Sequence, residues 1–130
     1  MKVAVALIAA LISAPAVAQT APPVEPQKMD VVDFSVDFKE MKKKRVTVTG
    51  CEFAGANNSW VFCYAAGNHG VHINIEVKSL DKEDRRRALR ECGGVVGEND
   101  RCTGSVTGVA FDFMGLGAAL QKAKIAWDKP

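Results

Sequence analysis

Four cysteines are the residues whose possible chemistry follows most directly from type and spacing. Cys51 and Cys63 have eleven residues between them, and Cys92 and Cys102 have nine. Structural zinc sites and redox-active pairs favour close spacings such as C-x-x-C, which does not occur here. We therefore expect two disulfides, with no metal site and no reactive thiol. Of the three possible connectivities we favour Cys51–Cys63 and Cys92–Cys102, because each pair flanks a short excursion between predicted elements.

The two histidines, His69 and His72, do not have the spacing of a metal site. Two ligands on one strand face would lie two residues apart, whereas these lie three apart. The sequence also lacks the motifs of serine hydrolases, zinc peptidases and phosphate-binding loops. Gly115 and Gly117 begin a dinucleotide-like fingerprint, but Leu120 stands at its third glycine position. We therefore predict a protein that is not an enzyme, with no catalytic residues and no cofactor.

A short aromatic segment is the main candidate for a binding surface. Trp60, Phe62 and Tyr64 alternate along a predicted strand and therefore share one face of it. Aromatic side chains on the outside of a sheet can stack against the rings of a ligand. The next predicted strand carries a polar row that would lie beside them. With the rings outward, the candidate ligand-binding residues are Trp60, Tyr64, His72, Asn74 and Glu76.

Strand register decides whether the aromatic side chains face a ligand or fill the core. Val46 and Val48 mark the inner face of the preceding strand, which puts Cys51 on the outer face if that strand is regular. A bridge to Cys63 requires both sulfurs on one face, so the residues next to Cys63 would point inward. We therefore favour the core for the three aromatic residues. A β-bulge at Gly50 would reverse this prediction.

Alternating apolar and polar residues predict six strands, at 32–38, 45–53, 60–65, 71–77, 102–113 and 123–127. One helix is expected at 82–92, with Asp81 as its N-cap and Gly93 after its end. After the first strand the order is three strands, a helix and two strands. This is the order of the OB-fold, a five-stranded Greek-key barrel. We therefore predict a mainly β protein with a five- to six-stranded OB-like barrel and one α-helix between strands three and four.

Three short segments carry a resemblance to a known family. They are KRVTVTG at 44–50, Leu80-Asp81 at the helix start and VTG at 106–108. They resemble motifs of exported bacterial proteins with a tRNA-anticodon-like OB domain, over roughly residues 30–127. The members of this family are mostly of unassigned function. The resemblance implies a barrel with a tendency to bind, and it implies no activity and no site residue.

The N-terminus is typical of an exported protein. Lys2 precedes an apolar run at 3–12, and residues 16–18 form a small-x-small cleavage site. We predict a signal peptide at 1–18, a proline-rich linker at 19–28 and the OB-like domain at 29–130. The apolar run is too short to remain as an anchor, so we expect no stable membrane span after cleavage. The predicted location is the periplasm or the medium.

Charge argues against a polyanion as the main partner. Basic clusters occur at 42–45 and 85–90, but acidic residues are interleaved with them and the formal net charge is only +2. We interpret both clusters as solvated surface. The predicted function is a non-enzymatic periplasmic or secreted module that binds an unidentified small ligand, oligomer or envelope protein. The alternatives are a single-stranded nucleic-acid binder, which the charge disfavours, and a structural or stress-tolerance protein of the cell envelope.

Overall fold

The computed structural model describes residues 25–130, so the predicted signal peptide and most of the predicted linker lie outside the described residues. The described chain contains six strands, three α-helices and a 3₁₀ turn. They are β1 (Gln27–Asp30), α1 (Val31–Val36), α2 (Phe38–Met41), β2 (Arg45–Ala54), β3 (Trp60–Ala65), β4 (Asn68–Glu76), the 3₁₀ turn (Val77–Ser79), α3 (Lys82–Glu91), β5 (Thr103–Asp112) and β6 (Ala118–Trp127). Within residues 25–130, no helix has the length and apolar character needed to cross a membrane.

Strands β2 to β6 close into a five-stranded barrel. The pairs β2–β3, β3–β4 and β5–β6 are antiparallel, and β4 joins β6 through a short parallel pairing. An antiparallel pairing of β2 with β5 closes the circuit. Strand β1 is an extra strand that runs parallel to the first half of β2. The predicted mainly β class is confirmed, and the order from β2 onward is the predicted one of three strands, a helix and two strands.

Aliphatic side chains fill the barrel. Outside the irregularities in β2 and β6, alternate residues of the barrel strands point inward, which is the period expected for a sheet with one buried face. The fully buried residues on these strands include Val46, Val48, Val61, Ile73, Ile75, Val106, Ala110 and Leu120. Because these side chains leave water together, their burial is the main force that closes the barrel.

The strand predicted at 32–38 is wrong, because this segment forms α1 and α2 instead. The Asp30 side chain caps α1 by accepting a 2.7 Å hydrogen bond from the backbone N–H of Asp33. The buried residues of α1 are Val31 and Phe34, three apart as on a helix face, whereas Val36 is 75% exposed. The extra strand β1 begins before this segment and includes the last two residues of the predicted linker. The last strand, β6, also begins five residues earlier than predicted.

The predicted helix is confirmed as α3, and it packs against the end of β6. Asp81 caps it by accepting a 2.9 Å hydrogen bond from the backbone N–H of Asp84. The Asp84 carboxylate accepts hydrogen bonds from Trp127 Nε1 at 3.0 Å and from the backbone N–H of Ile125 at 3.3 Å. The Arg87 guanidinium lies 4.3 Å from the centre of the Trp127 ring. One face of α3 is thus tied to the barrel by polar contacts as well as by Ala88, its buried residue.

The structure contains both favoured disulfides. Cys51–Cys63 links β2 to β3, and Cys92–Cys102 links the end of α3 to the segment before β5. All four cysteines are buried. In the chain-entropy model, closing loops of this length stabilises the fold by about 2–3 kcal/mol each.

Candidate ligand-binding face

A β-bulge at Gly50 sets which way the side chains of β3 point. Val48 pairs with Val106 and Cys51 with Gly104, so three steps along β2 match two steps along β5. Gly50 has a φ of +69°, a conformation that glycine adopts at low cost. The extra residue returns Cys51 to the inner face, where it is 1% exposed.

Because of this bulge, the prediction that Trp60, Phe62 and Tyr64 fill the core is wrong. Cys63 is fully buried inside the barrel. The three aromatic residues alternate with it and lie half-buried on the outside of β3. Strand β2 changes register between Val48 and Cys51. The bridge can therefore lie inside the barrel while the aromatic row lies outside.

The polar row predicted on the next strand lies beside the aromatic residues. Trp60 pairs with Glu76, Phe62 with Asn74 and Tyr64 with His72. Directly paired residues of neighbouring strands point to the same face of a sheet. The structure therefore brings together all five candidate ligand-binding residues, namely Trp60, Tyr64, His72, Asn74 and Glu76.

Two further aromatic residues, one near the end of β5 and one just after it, extend this surface. The Trp60 ring is stacked on Phe111 with centroids 6.3 Å apart, and it meets Phe113 edge-on at 4.2 Å. Sequence reasoning did not include these phenylalanines in the site. Alternation along β5 places them opposite the buried Ala110, but only the closed circuit of strands shows that they reach Trp60. We call this surface the aromatic face: Trp60, Phe62, Tyr64, Phe111 and Phe113 with His72, Asn74 and Glu76.

The other end of the aromatic face is rich in imidazole. The centre of the Tyr64 ring lies 5.1 Å from the centre of the His72 ring and 6.3 Å from that of the His69 ring. His69 Nε2 contacts Glu52 Oε2, and Glu52 is the β2 partner of Tyr64. Residues 25–130 contain no cluster of three or more potential metal ligands. The arrangement instead supplies hydrogen-bond donors and acceptors around a tyrosine ring.

Two loops border the aromatic face. In the β2–β3 loop, Asn57 Oδ1 accepts hydrogen bonds from the backbone N–H groups of Ser59 and Trp60, at 2.8 and 2.9 Å. These bonds fix the chain where β3 begins. The loop between β5 and β6 carries Met114 and Leu116, which are 83% and 77% exposed. Their position next to Phe113 extends the apolar surface beyond the sheet.

The charge of this face is acidic. Neither β3 nor β4 contains a lysine or an arginine. Glu76 and Glu52 lie near its two ends, each opposite an aromatic residue of β3. At the β5 side, the carboxylate of Asp112 is 3.7 Å from the ammonium of Lys42. The face therefore presents aromatic rings and hydrogen-bonding groups with little positive charge.

The predicted basic cluster at 42–45 borders the β5 side of the aromatic face, where Lys42 pairs with Asp112. The cluster at 85–90 lies on α3, and several of its members have partners. Arg86 pairs with Glu83 at 3.0 Å, and Arg85 donates to the backbone oxygen of Leu80 at 3.1 Å. Arg87 donates to the backbone oxygen of Lys129 at 2.7 Å. The Arg87 contact joins the helix to the C-terminal segment, and the other two lie within the helix or at its start.

Fold and face together define a disulfide-linked β-barrel with an aromatic outer surface. Comparisons with protein-family models, with curated proteins and with solved structures find no match for this chain. The resemblance to the tRNA-anticodon-like OB family therefore stays a prediction, and the case for function rests on the geometry of this surface.

Proposed function

We propose that this chain is an exported, non-enzymatic binding module of the OB type that holds its ligand on the aromatic face. Support for the OB type comes from the five-stranded circuit, with α3 between its third and fourth strands. OB barrels bind ligands on the face of their second and third strands and with the loops that border it. Here those strands are β3 and β4, and the bordering loops are the β2–β3 and β5–β6 loops.

The observation that carries this proposal is the outward orientation of Trp60, Phe62 and Tyr64. None of them belongs to the buried hydrophobic cluster or packs against it. An aromatic side chain carries roughly 150–250 Å² of surface, so leaving several of them half-exposed forgoes part of the stabilisation that full burial would supply. Contiguous apolar surface of this kind on a soluble domain marks an interaction site. We infer that a ligand covers it.

Binding without catalysis fits the groups on this face. Rings, imidazoles, an amide and carboxylates hold a ligand by stacking and hydrogen bonding. All four cysteines are in disulfides, so they offer no thiol nucleophile. Two structural disulfides favour an oxidising compartment, in agreement with the predicted signal peptide.

The test is to map binding on the protein purified from the cells that export it. Backbone amide NMR shifts are followed while fractionated envelope glycans, single-stranded oligonucleotides and envelope proteins are added. We expect shifts at β3, β4 and the loop at 113–117, and we expect Trp60→Ala to weaken the interaction at least tenfold. Lys124→Ala is the control, because Lys124 is exposed on β6 and lies outside the aromatic face. A ligand that shifts only other surfaces would refute the proposal, as would turnover of the ligand that disappears on a point substitution.

A further inference from the structure

We propose that the ligand of the aromatic face is an uncharged oligosaccharide. Its sugar rings would stack on Trp60 and Tyr64, and its hydroxyl groups would bond to His72, Asn74 and Glu76. This inference rests on the proposed function and narrows the class of ligand. It follows from the length of the aromatic row, from the unused polar groups beside it, and from the charge and hydrogen bonding of the strands that carry it.

The aromatic row suits an extended chain of rings. Alternate residues of a strand are about 6.6–6.8 Å apart, so Trp60, Phe62 and Tyr64 span roughly 13 Å. Phe111 and Phe113 lengthen the row beyond Trp60. The face of an aromatic ring is the negative pole of its quadrupole, and it attracts the polarised C–H groups on the flat side of a sugar. An oligomer with repeated rings uses the whole row, whereas a single small molecule covers only one part of it.

The polar row has hydrogen-bonding capacity that the protein does not use. The hydrogen bonds and ion pairs within residues 25–130 do not include the side chains of His72, Asn74 or Glu76. A carboxylate accepts hydrogen bonds, whereas an amide and a neutral imidazole both donate and accept. Sugar hydroxyls also donate and accept, so they match all three groups.

The charge of the aromatic face favours a neutral oligosaccharide over a single-stranded nucleic acid. Proteins that bind single strands combine stacking residues with lysines and arginines that follow the phosphates. The two strands that carry Trp60 and its polar partners have no basic residue, and Glu52 and Glu76 lie on them or beside them. Along β3 and β4 a phosphate chain would meet carboxylates instead of cations, and Lys42 at the β5 side is already paired with the Asp112 carboxylate. A neutral chain has no such repulsion.

The hydrogen bonding of β3 favours an oligosaccharide over a peptide that adds to the sheet as a further strand. Peptides that extend a sheet need an edge with free backbone N–H and C=O groups. Strand β3 pairs with β2 on one edge and with β4 on the other. The backbone of β3 is therefore engaged on both edges, and a peptide strand cannot add to it. Strand β4 pairs with β6 only at Asn74 and Ile75, so a peptide probe tests addition along the rest of that edge.

The experiment is isothermal titration of the purified exported protein with probes of three classes. The neutral probes are chitin-type N-acetylated oligosaccharides, β-glucan oligosaccharides and dextran oligosaccharides of increasing length. The others are a single-stranded DNA oligonucleotide and a proline-rich peptide. We expect at least one neutral series to bind, with affinity that rises with chain length. That affinity should change less than about twofold between low and high salt, because no counterions are released.

Substitutions on the aromatic face test whether the oligosaccharide binds there. Trp60→Ala should weaken binding at least tenfold, Trp60→Phe should retain part of it, and Asn74→Ala should weaken it several-fold. Lys124→Ala should leave it unchanged, and unchanged thermal midpoints would show that all variants fold. Trp60-dependent binding of DNA or peptide without binding of any neutral series would overturn this inference and leave the proposed function standing. If no probe and no envelope fraction perturbs the aromatic face, both fail.

Discussion

The bulge at Gly50 can be tested by substituting the glycine itself. Its φ is +69°, and a Cβ placed there meets no atom within 4 Å. Substitution therefore introduces backbone strain without a steric clash in the fold. Gly50→Val places a β-branched residue in the left-handed region, where such residues are outliers. Gly50→Asn is the matched control, because asparagine tolerates this region.

The expected magnitude follows from the cost of left-handed backbone. For an L-residue this cost is about 1–2 kcal/mol. Both substitutions also lower the entropy of the unfolded chain, and this common effect stabilises each variant by about 0.4–1 kcal/mol. The difference between the two variants isolates the strain, so we expect Gly50→Val to be about 1–2 kcal/mol less stable than Gly50→Asn. For a domain of this size each kcal/mol corresponds to roughly 4–8 °C in melting temperature, so the expected difference is about 4–16 °C.

Urea unfolding of the disulfide-bonded protein, followed by far-UV circular dichroism, measures both variants against the original chain. Equal m-values would show that the unfolded states remain comparable. If Gly50→Val and Gly50→Asn unfold at the same urea concentration, residue 50 does not have a positive φ. The register change would then lie elsewhere, and the argument for outward aromatic residues would lose its structural basis.

Three further predictions concern the parts of the fold that support the face. Cys92→Ser should lower the free energy of unfolding by about 2–4 kcal/mol, and in this variant reductant should affect the midpoint less than in the original chain. Asp84→Ala should cost about 2–3 kcal/mol in the same assay, because it removes the acceptor for an indole N–H and a backbone N–H of β6. The hydrogen bond from Lys129 lowers the pKa of Asp100 below its usual value, so Lys129→Met should raise that pKa in a carbon-detected NMR titration.

Each of these predictions has a control or a contradicting outcome. A Cys92→Ser variant as stable as the oxidised original would contradict the stabilising role of that disulfide. Glu83→Ala removes an exposed ion pair of the same helix and should change stability by less than about 0.5 kcal/mol. A carboxyl group whose pKa is lowered by folding stabilises the protein at pH values above its pKa in the unfolded state. This stabilisation is lost as the pH falls through the pKa of the folded state. Because Asp100 is fully exposed, we expect a change in its titration without a large change in the acid stability of the fold.

Alternation predicted the barrel strands well because each of them has one buried face. In β5, for example, Val106 and Ala110 are buried and alternate with half-buried residues. The same rule failed at 32–38, where the apolar residues also alternate. There the side chain of Asp30 caps a helix, and only Phe34 of the four alternating residues is buried. Helix capping and tertiary burial determine the secondary structure of this segment, and neither can be read from period-two alternation.

The site could be predicted only in part because its orientation depends on one extra residue. The sequence indicated both the aromatic row and its polar neighbours, and it marked Gly50 as the place where a bulge would matter. It did not show whether the bulge forms, because glycine also occurs in regular strands. Phe111 and Phe113 were missed for a different reason. Their contact with Trp60 joins distant segments, and local spacing contains no information about that contact.

The size of the barrel explains why the bulge and the aromatic face occur together. A closed barrel of five strands has a narrow interior, and aliphatic side chains, Phe53 and the Cys51–Cys63 bridge already occupy it. Turning the β3 face inward would add the rings of Trp60, Phe62 and Tyr64 to a space filled by valines and isoleucines. It would also leave the disulfide on the outside. The extra residue at Gly50 avoids both outcomes, because it keeps the cysteines inside and directs the rings outward. A chain without this bulge would have to abandon either the buried bridge or the outward aromatic row.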